Sequence, residues 1–318
     1  MAFYKVSLTT KLDVRSLGRA SGRSILAIEP EDYTKDEVEA FRAAGYTVLG
    51  YLSVGSVSDQ RPYYPKLKKY CLKRLKDWPH ERYLDLRQEK ARDWCVSRAA
   101  EIRKKGFDGW WLDNIDVYEE YRSMEMFNGL TFVLQGIKAL GGYVMLNGGI
   151  AYLTDLMVPH KVQLGAYRLK ANANRMKKAL ERKGFPAAAI EMDGLRKVQS
   201  GAFASVSMAD QLVEKLRSAG FDTAKRISMF YGQASSIIDG VTQEEVFSLI
   251  TSYSGKGAFG KQDKKESERY QGHLLRCGEN GIEAFLLEYT RDGALKRLII
   301  VFCEQNGMSA CISGDVDL

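Results

Sequence analysis

Apolar positions along the chain fall into two rhythms. Short, nearly continuous apolar runs bounded by Gly, Asp, Asn or Ser recur at 25–29, 48–53, 82–86, 109–113, 143–147, 237–241, 284–289 and 309–313. Runs of this kind are what strands buried on both faces look like. Helical patterns intervene at 35–44, 89–105, 125–140, 243–252, 264–277 and 292–306. Eight strands with helices between them predict an α/β fold, a (β/α)8 barrel. Residues 4–8, YKVSL, read as an extra strand ahead of it. A doubly wound open sheet ranks second, because no βα turn carries the G-x-G-x-x-G or Walker spacing of a dinucleotide or nucleotide site.

The pattern changes between 160 and 228. VQLGAY at 162–167 recurs as VQSGAF at 198–203, an offset of 36 that also pairs Ala173 with Ala209, Leu180 with Leu216, Gly184 with Gly220 and Phe185 with Phe221. Each copy reads as a strand and an amphipathic helix, with Ala173, Met176, Leu180 and Met208, Leu212, Leu216 as core-facing stripes. A further strand follows each helix, at 187–191 and 223–227. The unit is β-α-β-β-α-β, a ferredoxin-like module of ~70 residues. Two copies are too few for a solenoid, so they should pack as one small domain. The expected division is therefore 1–157 for the first part of the barrel, 158–228 for the insertion and 229–318 for the remainder.

Charge follows the same boundary. The chain carries a net +7, yet residues 161–226 hold 14 Lys/Arg against 6 Asp/Glu, leaving the rest nearly neutral. Such a shift marks a module with its own partner, or two basic helices with a solvated face. A nucleic acid could be drawn to it, but no stacking motif beyond Tyr167 and Phe203 supports that, and no nucleic-acid partner is expected. An apolar fraction of 45% with 27% charged residues is ordinary for a globular protein. No apolar run reaches the ~18 residues of a membrane span, and the first residues lack an apolar signal-peptide core, so an export signal was removed or none exists. Five scattered Cys, no C-x-x-C pair and three His argue against a disulfide framework or a zinc site. No cofactor or metal is expected.

The most telling stretch is GFDGWWLDNID, 106–116. An apolar run, Trp110-Trp111-Leu112, leads into Asp113, Asn114 and Asp116, as a buried strand ends at a polar site. The alternative is a capping turn, since Asp and Asn also cap helices. Other polar groups fall at expected strand ends: Ser53 and Ser56 with Arg61, Tyr63 and Tyr64 beyond, then Asp85, Asn147, Gln243, Glu244 and Glu245, and Glu288 with Tyr289. This ring of carboxylates and aromatics, without a Ser-His pair or a His cluster, suits glycoside hydrolysis, where one acid protonates the leaving oxygen and the other serves as nucleophile or base. Glu244 and Glu245 could instead be first-turn helix acids, Glu288 an ion-pair partner, and Tyr63 and Tyr64 rim packing.

Two resemblances sharpen this reading. VQLGAY, ANANRMKKALERKGF, DGLRKVQSGAF and LVEKLRSAGF make 160–228 similar to a sporulation-related repeat (SPOR) domain. That implies binding to peptidoglycan glycan strands, with Gln163, Tyr167, Gln199 and Phe203 on the sheet face that meets the sugar. GYLSVGSVSDQRPYY, GFDGWWLDNIDVYEEY, LNGG, DGVTQEEVF and FLLEYT resemble the endo-α-1,4-polygalactosaminidase-like glycoside hydrolases over 20–157 and 229–318. The resemblance implies a (β/α)8 barrel cleaving an amino-sugar polysaccharide. Its acids carry over to Asp113 and to Glu244, with Glu245 as the alternative register. Two positions depart from the family pattern: Ser56 stands where a Glu is common after G-Y-x-S-x-G, and Ile150 where Asp often follows N-G-G.

The combined expectation is a cell-wall-associated glycosidase. Asp113 and Glu244 form the catalytic pair. Arg61, Tyr64, Asp116, Asn147, Glu245, Glu288 and Tyr289 hold a polysaccharide substrate, and the insertion holds peptidoglycan. The rival is a catalytically silent glycan-binding protein, favoured by Ser56 and Ile150.

Overall fold

The structure is a computed structural model describing residues 3–255, 257–316 and 318. Eight parallel strands form the main sheet: β1 (Phe3–Ser7), β2 (Ser24–Ile28), β3 (Thr47–Ser53), β4 (Gly109–Asp113), β5 (Tyr143–Asn147), β6 (Gly240–Glu244), β7 (Glu283–Tyr289) and β8 (Ser309–Ser313). They neighbour one another in sequence order, and β1 lies beside β8, so the sheet curls round into a barrel. Alternate residues fill the lumen: Tyr4, Val6, Ile25, Ala27, Leu49, Trp111, Met145, Phe285, Leu287 and Cys311 pack together there. The intervening residues, Leu26, Val48, Trp110, Leu112, Val144 and Leu286 among them, pack outward against the helices. This is a (β/α)8 barrel, with a lumen filled by side chains.

Two elements differ from expectation. The segment expected as a barrel strand at 82–86 is Glu81–Leu84, and it pairs antiparallel with Ser56–Ser58 and Cys71–Arg74 in a separate three-stranded sheet. Its place in the barrel belongs to Phe3–Ser7, which pairs with β2 and buries Tyr4 and Val6 in the lumen. The segment expected as a helix at 243–252 ends β6 and then forms the hairpin Ser248–Ser252 with Ala258–Lys261. Glu288 explains this. Its fully buried carboxylate accepts the backbone N–H of Phe247 at 3.0 Å and of Ser248 at 2.9 Å, and the Ser248 hydroxyl at 2.5 Å. These bonds hold 247–248 in a turn and leave no helical amide ladder to start. Glu288 thus serves the fold from the outer side of β7, alongside Leu286, and is not among the cleft residues.

Between β5 and β6 the chain leaves the barrel. Strands His160–Tyr167, Ala188–Met192, Leu195–Phe203 and Lys225–Ser228 form an antiparallel sheet, and helices Lys170–Arg182 and Val206–Ser218 cover it. A separate core of Val162, Leu164, Ala173, Leu180, Val198, Ala209, Val213 and Leu216 joins them. Met208, expected in the second stripe, is exposed, and Ala209 and Val213 take the buried side. The hairpin Met192-Asp193-Gly194-Leu195 turns through positive φ at both central residues, 54° and 68°, the geometry that matches strand twist.

That hairpin meets the barrel: the Asp193 carboxylate accepts the Met124 N–H at 2.9 Å, and Met192 joins the barrel's outer core. At the other end, buried Lys161 lies 3.0 Å from Asp155, which also accepts from Arg122 at 2.7 Å and from the Tyr118 hydroxyl at 2.7 Å. Burial opposes the charge on Asp155, but Lys161 and Arg122 outweigh it and hold its pKa below the usual carboxylate value.

Glu288→Gln should destabilise the protein by about 1–3 kcal/mol in urea unfolding, because one acceptor becomes a donor facing backbone donors. A stability equal to the parent would contradict this role. Replacing 159–228 by a short Gly-Ser bridge should leave a barrel that still unfolds cooperatively. An ANS-binding, non-cooperative product would show that the two cores are not independent.

Candidate active site

The alternation of the barrel strands decides which side chains reach the carboxyl end of the lumen. Trp111 faces inward on β4, so Asp113, two residues on, emerges above it. By the same step Thr242 leads to Glu244 on β6, Met145 to Asn147 on β5, Leu287 to Tyr289 on β7 and Leu49 to Tyr51 on β3. The ladder brings the ends level, with Ser53 opposite Asp113 and Thr242 opposite Asn147. All five line one cleft of about 370 Å³, with Arg61, Trp78, Glu81, Trp111 and Tyr253 also on its walls. Trp111 is tied down beneath it, its indole N–H donating to the Tyr4 hydroxyl at 2.9 Å.

At the centre, the Asn147 amide nitrogen donates to Asp113 Oδ1 at 3.0 Å and to Glu244 Oε1 at 2.6 Å. Because both oxygens bond to one nitrogen, they can be no farther apart than those two bonds laid end to end. Asn147 Oδ1 is buried and has no protein partner among the described residues. Asp113 also accepts the Tyr51 hydroxyl at 3.1 Å and the Asn114 N–H at 2.8 Å. Glu244 Oε2 accepts the Tyr289 hydroxyl at 2.9 Å. Burial pushes the Glu244 carboxyl up to about 7; the Asp113 charge adds to this, and the bonds from Asn147 and Tyr289 oppose it. Burial raises Asp113 too, against three hydrogen bonds that favour its ionised form.

Not every expected residue joins this group. Arg61 stands on the cleft wall and is bonded to Glu29 at 2.6 Å. Tyr64 begins the short helix Tyr64–Leu67 and packs against the outer core, away from the cleft lining. Asp116 is exposed and accepts from the Tyr83 hydroxyl at 3.2 Å. Of the two possible registers after β6, Glu244 enters the cleft. Glu245 has a φ of 56°; its carboxylate accepts the Ile250 N–H and its carbonyl accepts Gln262 Nε2 at 3.0 Å, so it braces the hairpin. In the insertion, Gln163 and Gln199 are cross-strand neighbours, each only 8% exposed. Tyr167 and Phe203 are half-buried, folded over Gly165 and Gly201 against the domain's own core. Of the four, the two amides are thus nearly covered and the two rings keep a part of their surface exposed. Two side-chain-free glycines let the rings lie back along their strands.

Several cleft residues were not foreseen: Glu81, Trp78, Tyr253 and Tyr51. Glu81 accepts a hydrogen bond from Ser56. Where the sequence has a serine in place of the family's acid, the neighbouring antiparallel strand delivers a carboxylate to that hydroxyl. Asn114, at φ 61°, turns the chain out of β4, and its carbonyl packs so closely on Gly55 that a Cβ there would lie 1.7 Å away. The Gly in V-G-S was the available signal for that approach.

Residues 14–160 match the model of glycoside-hydrolase family GH114, and residues 158–224 match the SPOR domain. The glycoside hydrolase domain of PelA from Pseudomonas aeruginosa has the same fold, with a TM-score of 0.64 at 15% identity over 99% of this chain and 96% of that one. So does Aspergillus fumigatus Ega3, solved in complex with galactosamine, with 0.58 at 14% identity over 98% and 90%. No curated protein matches the chain. The chain is thus a glycosidase whose barrel, similar to family GH114 over residues 14–160, carries an insertion similar to the SPOR domain over residues 158–224.

Proposed function

We propose that the protein hydrolyses an amino-sugar polysaccharide of the cell envelope with retention of configuration, using Asp113 and Glu244, and that its SPOR domain holds it on peptidoglycan. The observation that carries this reading is the single Asn147 nitrogen bonded to both carboxylates, at 3.0 and 2.6 Å. Retaining glycosidases place the pair ~5–5.5 Å apart, whereas inverting ones need ~6.5–9.5 Å for a water. The complex of Ega3 with galactosamine supports an amino sugar as the substrate class.

The environments divide the roles. Asp113 accepts from Tyr51, Asn114 and Asn147, bonds that favour its anion, and it attacks the anomeric carbon to form a glycosyl ester. Glu244, kept protonated up to about pH 7 by burial, gives its proton to the departing glycosidic oxygen. The resulting carboxylate then takes a proton from water, which attacks the anomeric carbon and frees Asp113. Arg61 and Tyr289 stand where they can hold the sugar. The SPOR match supports cell-wall association, and among the described residues no helix is long and apolar enough to cross a membrane.

Asp113→Asn and Glu244→Gln should each remain folded and lower kcat on partly deacetylated α-1,4-galactosaminoglycan by roughly a thousandfold or more. Parent-like turnover in either variant would sink the pair. Proton NMR of the first products should show the α-anomer before mutarotation; initial β-anomer would mean inversion. The rate should fall as pH rises through about 7, because the acid must be protonated. Removing the Tyr289 hydroxyl takes away a bond that lowers the Glu244 pKa, so Tyr289→Phe should move this alkaline limb to higher pH. An unchanged or lowered limb would assign it to another group. The full chain should be retained on amidase-treated sacculi more than on untreated sacculi; equal retention would reject recognition of bare glycan strands.

A further inference from the structure

Two attachments of the insertion fall on the loops that leave the central strands of the cleft. β4 ends at Asp113, and the chain runs on through Asn114 and the short helix Val117–Glu120 to Arg122 and Met124. β5 ends at Asn147, and the chain runs on through Gly148 and Gly149 into the helix Ile150–Met157. The two loops pack directly on one another: a Cβ on Gly149 would lie 2.3 Å from Ile115. They also converge on one carboxylate. Asp155, on the helix after β5, accepts at Oδ2 from the Tyr118 hydroxyl and from Arg122, both at 2.7 Å and both from the loop after β4.

The insertion completes this arrangement. The other oxygen, Asp155 Oδ1, is 3.0 Å from Lys161 Nζ, and Lys161 and Asp155 are each only 4% exposed. Lys161 is placed by the insertion's own sheet, where it pairs with Ala202 on one side and Ile227 on the other. The second attachment is the Asp193-Gly194 turn. The Asp193 N–H donates to the Arg122 carbonyl at 3.3 Å, its carboxylate accepts the Met124 N–H at 2.9 Å, and Lys197 bonds to the same carboxylate. Arg122 is thus tied to the insertion by its backbone and, through Asp155, by its side chain. At the near ends of the two loops, Asn114 gives Asp113 an N–H at 2.8 Å, and Asn147 gives its amide to Asp113 and Glu244. The strand ladder sets which way these side chains point, and such bonds set how the carboxylates are turned.

We infer that Lys161 is a positioning residue for the barrel's reaction: beyond the anchoring proposed above, the insertion closes the block of two loops from which Asp113 and Asn147 are presented. Without Lys161 the Asp155 carboxylate keeps the cost of its burial, and the loops part until water reaches it. A small displacement of that kind moves Asn114 and Asn147 against the acids they hold, and it lowers the rate without removing any group that meets the substrate. This inference rests on Asp113 acting in the hydrolysis proposed above and adds to it a residue from the second domain.

Lys161→Met in the full chain tests it by two readouts, both taken well below the unfolding midpoint. On soluble, partly deacetylated α-1,4-galactosaminoglycan, kcat should fall at least about tenfold with KM within about twofold, since the groups that bind the sugar are all still present. Amide hydrogen exchange across 113–124 and 147–157 should speed up in the same variant. Asp193→Ala, at an exposed turn, should act in the same direction, with kcat down at least about threefold, and it decides the matter if Lys161→Met does not fold. A parent-like kcat, a loss confined to KM, or exchange at 113–124 equal to the parent's overturns the inference. Absence of turnover by the parent chain overturns the hydrolase reading, and the exchange measurement then still decides whether the insertion holds the loops, so the two failures are distinguishable.

Discussion

Each side chain at the centre of the cleft owes its direction to the two-residue alternation of the barrel strands. Trp111 seals the lumen and Asp113 rises above it, while Trp110 and Leu112 face the helices. A slip of one residue would exchange these sets, placing a large apolar ring at the mouth and a carboxylate among helix side chains. Glu288 shows what an outward carboxylate requires. It is fully buried and raised to about 7 by that burial, and it is accommodated because two backbone N–H groups and a hydroxyl bond to it. At the lumen end the backbone supplies one donor, the Asn114 N–H to Asp113, and side chains supply the rest. Asn147, Tyr51 and Tyr289 supply donors from neighbouring strands, and each donor aims inward by the same alternation.

The insertion is joined to this frame by more than its two peptide connections. Asp155 binds Lys161 from the insertion together with Arg122 and Tyr118 from the barrel, a buried charge that is paired on both sides. The Asp193-Gly194 turn reaches back to Met124 and seats Met192 in the barrel's outer core. The basic excess of residues 161–226 is partly used in this way. Lys161 is buried in the joint, while most of the remaining cations lie on the exposed helices and loops of the insertion.

Periodic features were legible in the sequence, and features created by tertiary approach were not. Strands such as 109–113 and 143–147 announced themselves by apolar runs ending in Asp and Asn, and the 36-residue repeat marked the insertion. With those strands placed, Asp113, Asn147, Glu244 and Tyr289 followed as cleft residues. Phe3–Ser7 and Glu81–Leu84 exchanged places because both read as short strands, and only pairing partners distinguish a barrel strand from an accessory one. The hairpin after β6 was read as a helix because its decisive contacts come from Glu288, about forty residues away in the chain. Glu81 and Trp78 were missed for the same reason. Nothing in W-P-H-E points to a cleft until the three-stranded sheet carries that turn over the mouth of the barrel.

That accessory sheet lies between β3 and β4 and contributes no rung to the barrel ladder. The strands that carry Asp113, Asn147 and Glu244 are thus paired without it, and the turn bearing Trp78 and Glu81 reaches Asp113 only through the hydroxyls of Ser56 and Ser53 and the amide of Asn114. The turn on this appendage can diverge in sequence while the ladder that sets the direction of Asp113, Asn147 and Glu244 stays as it is.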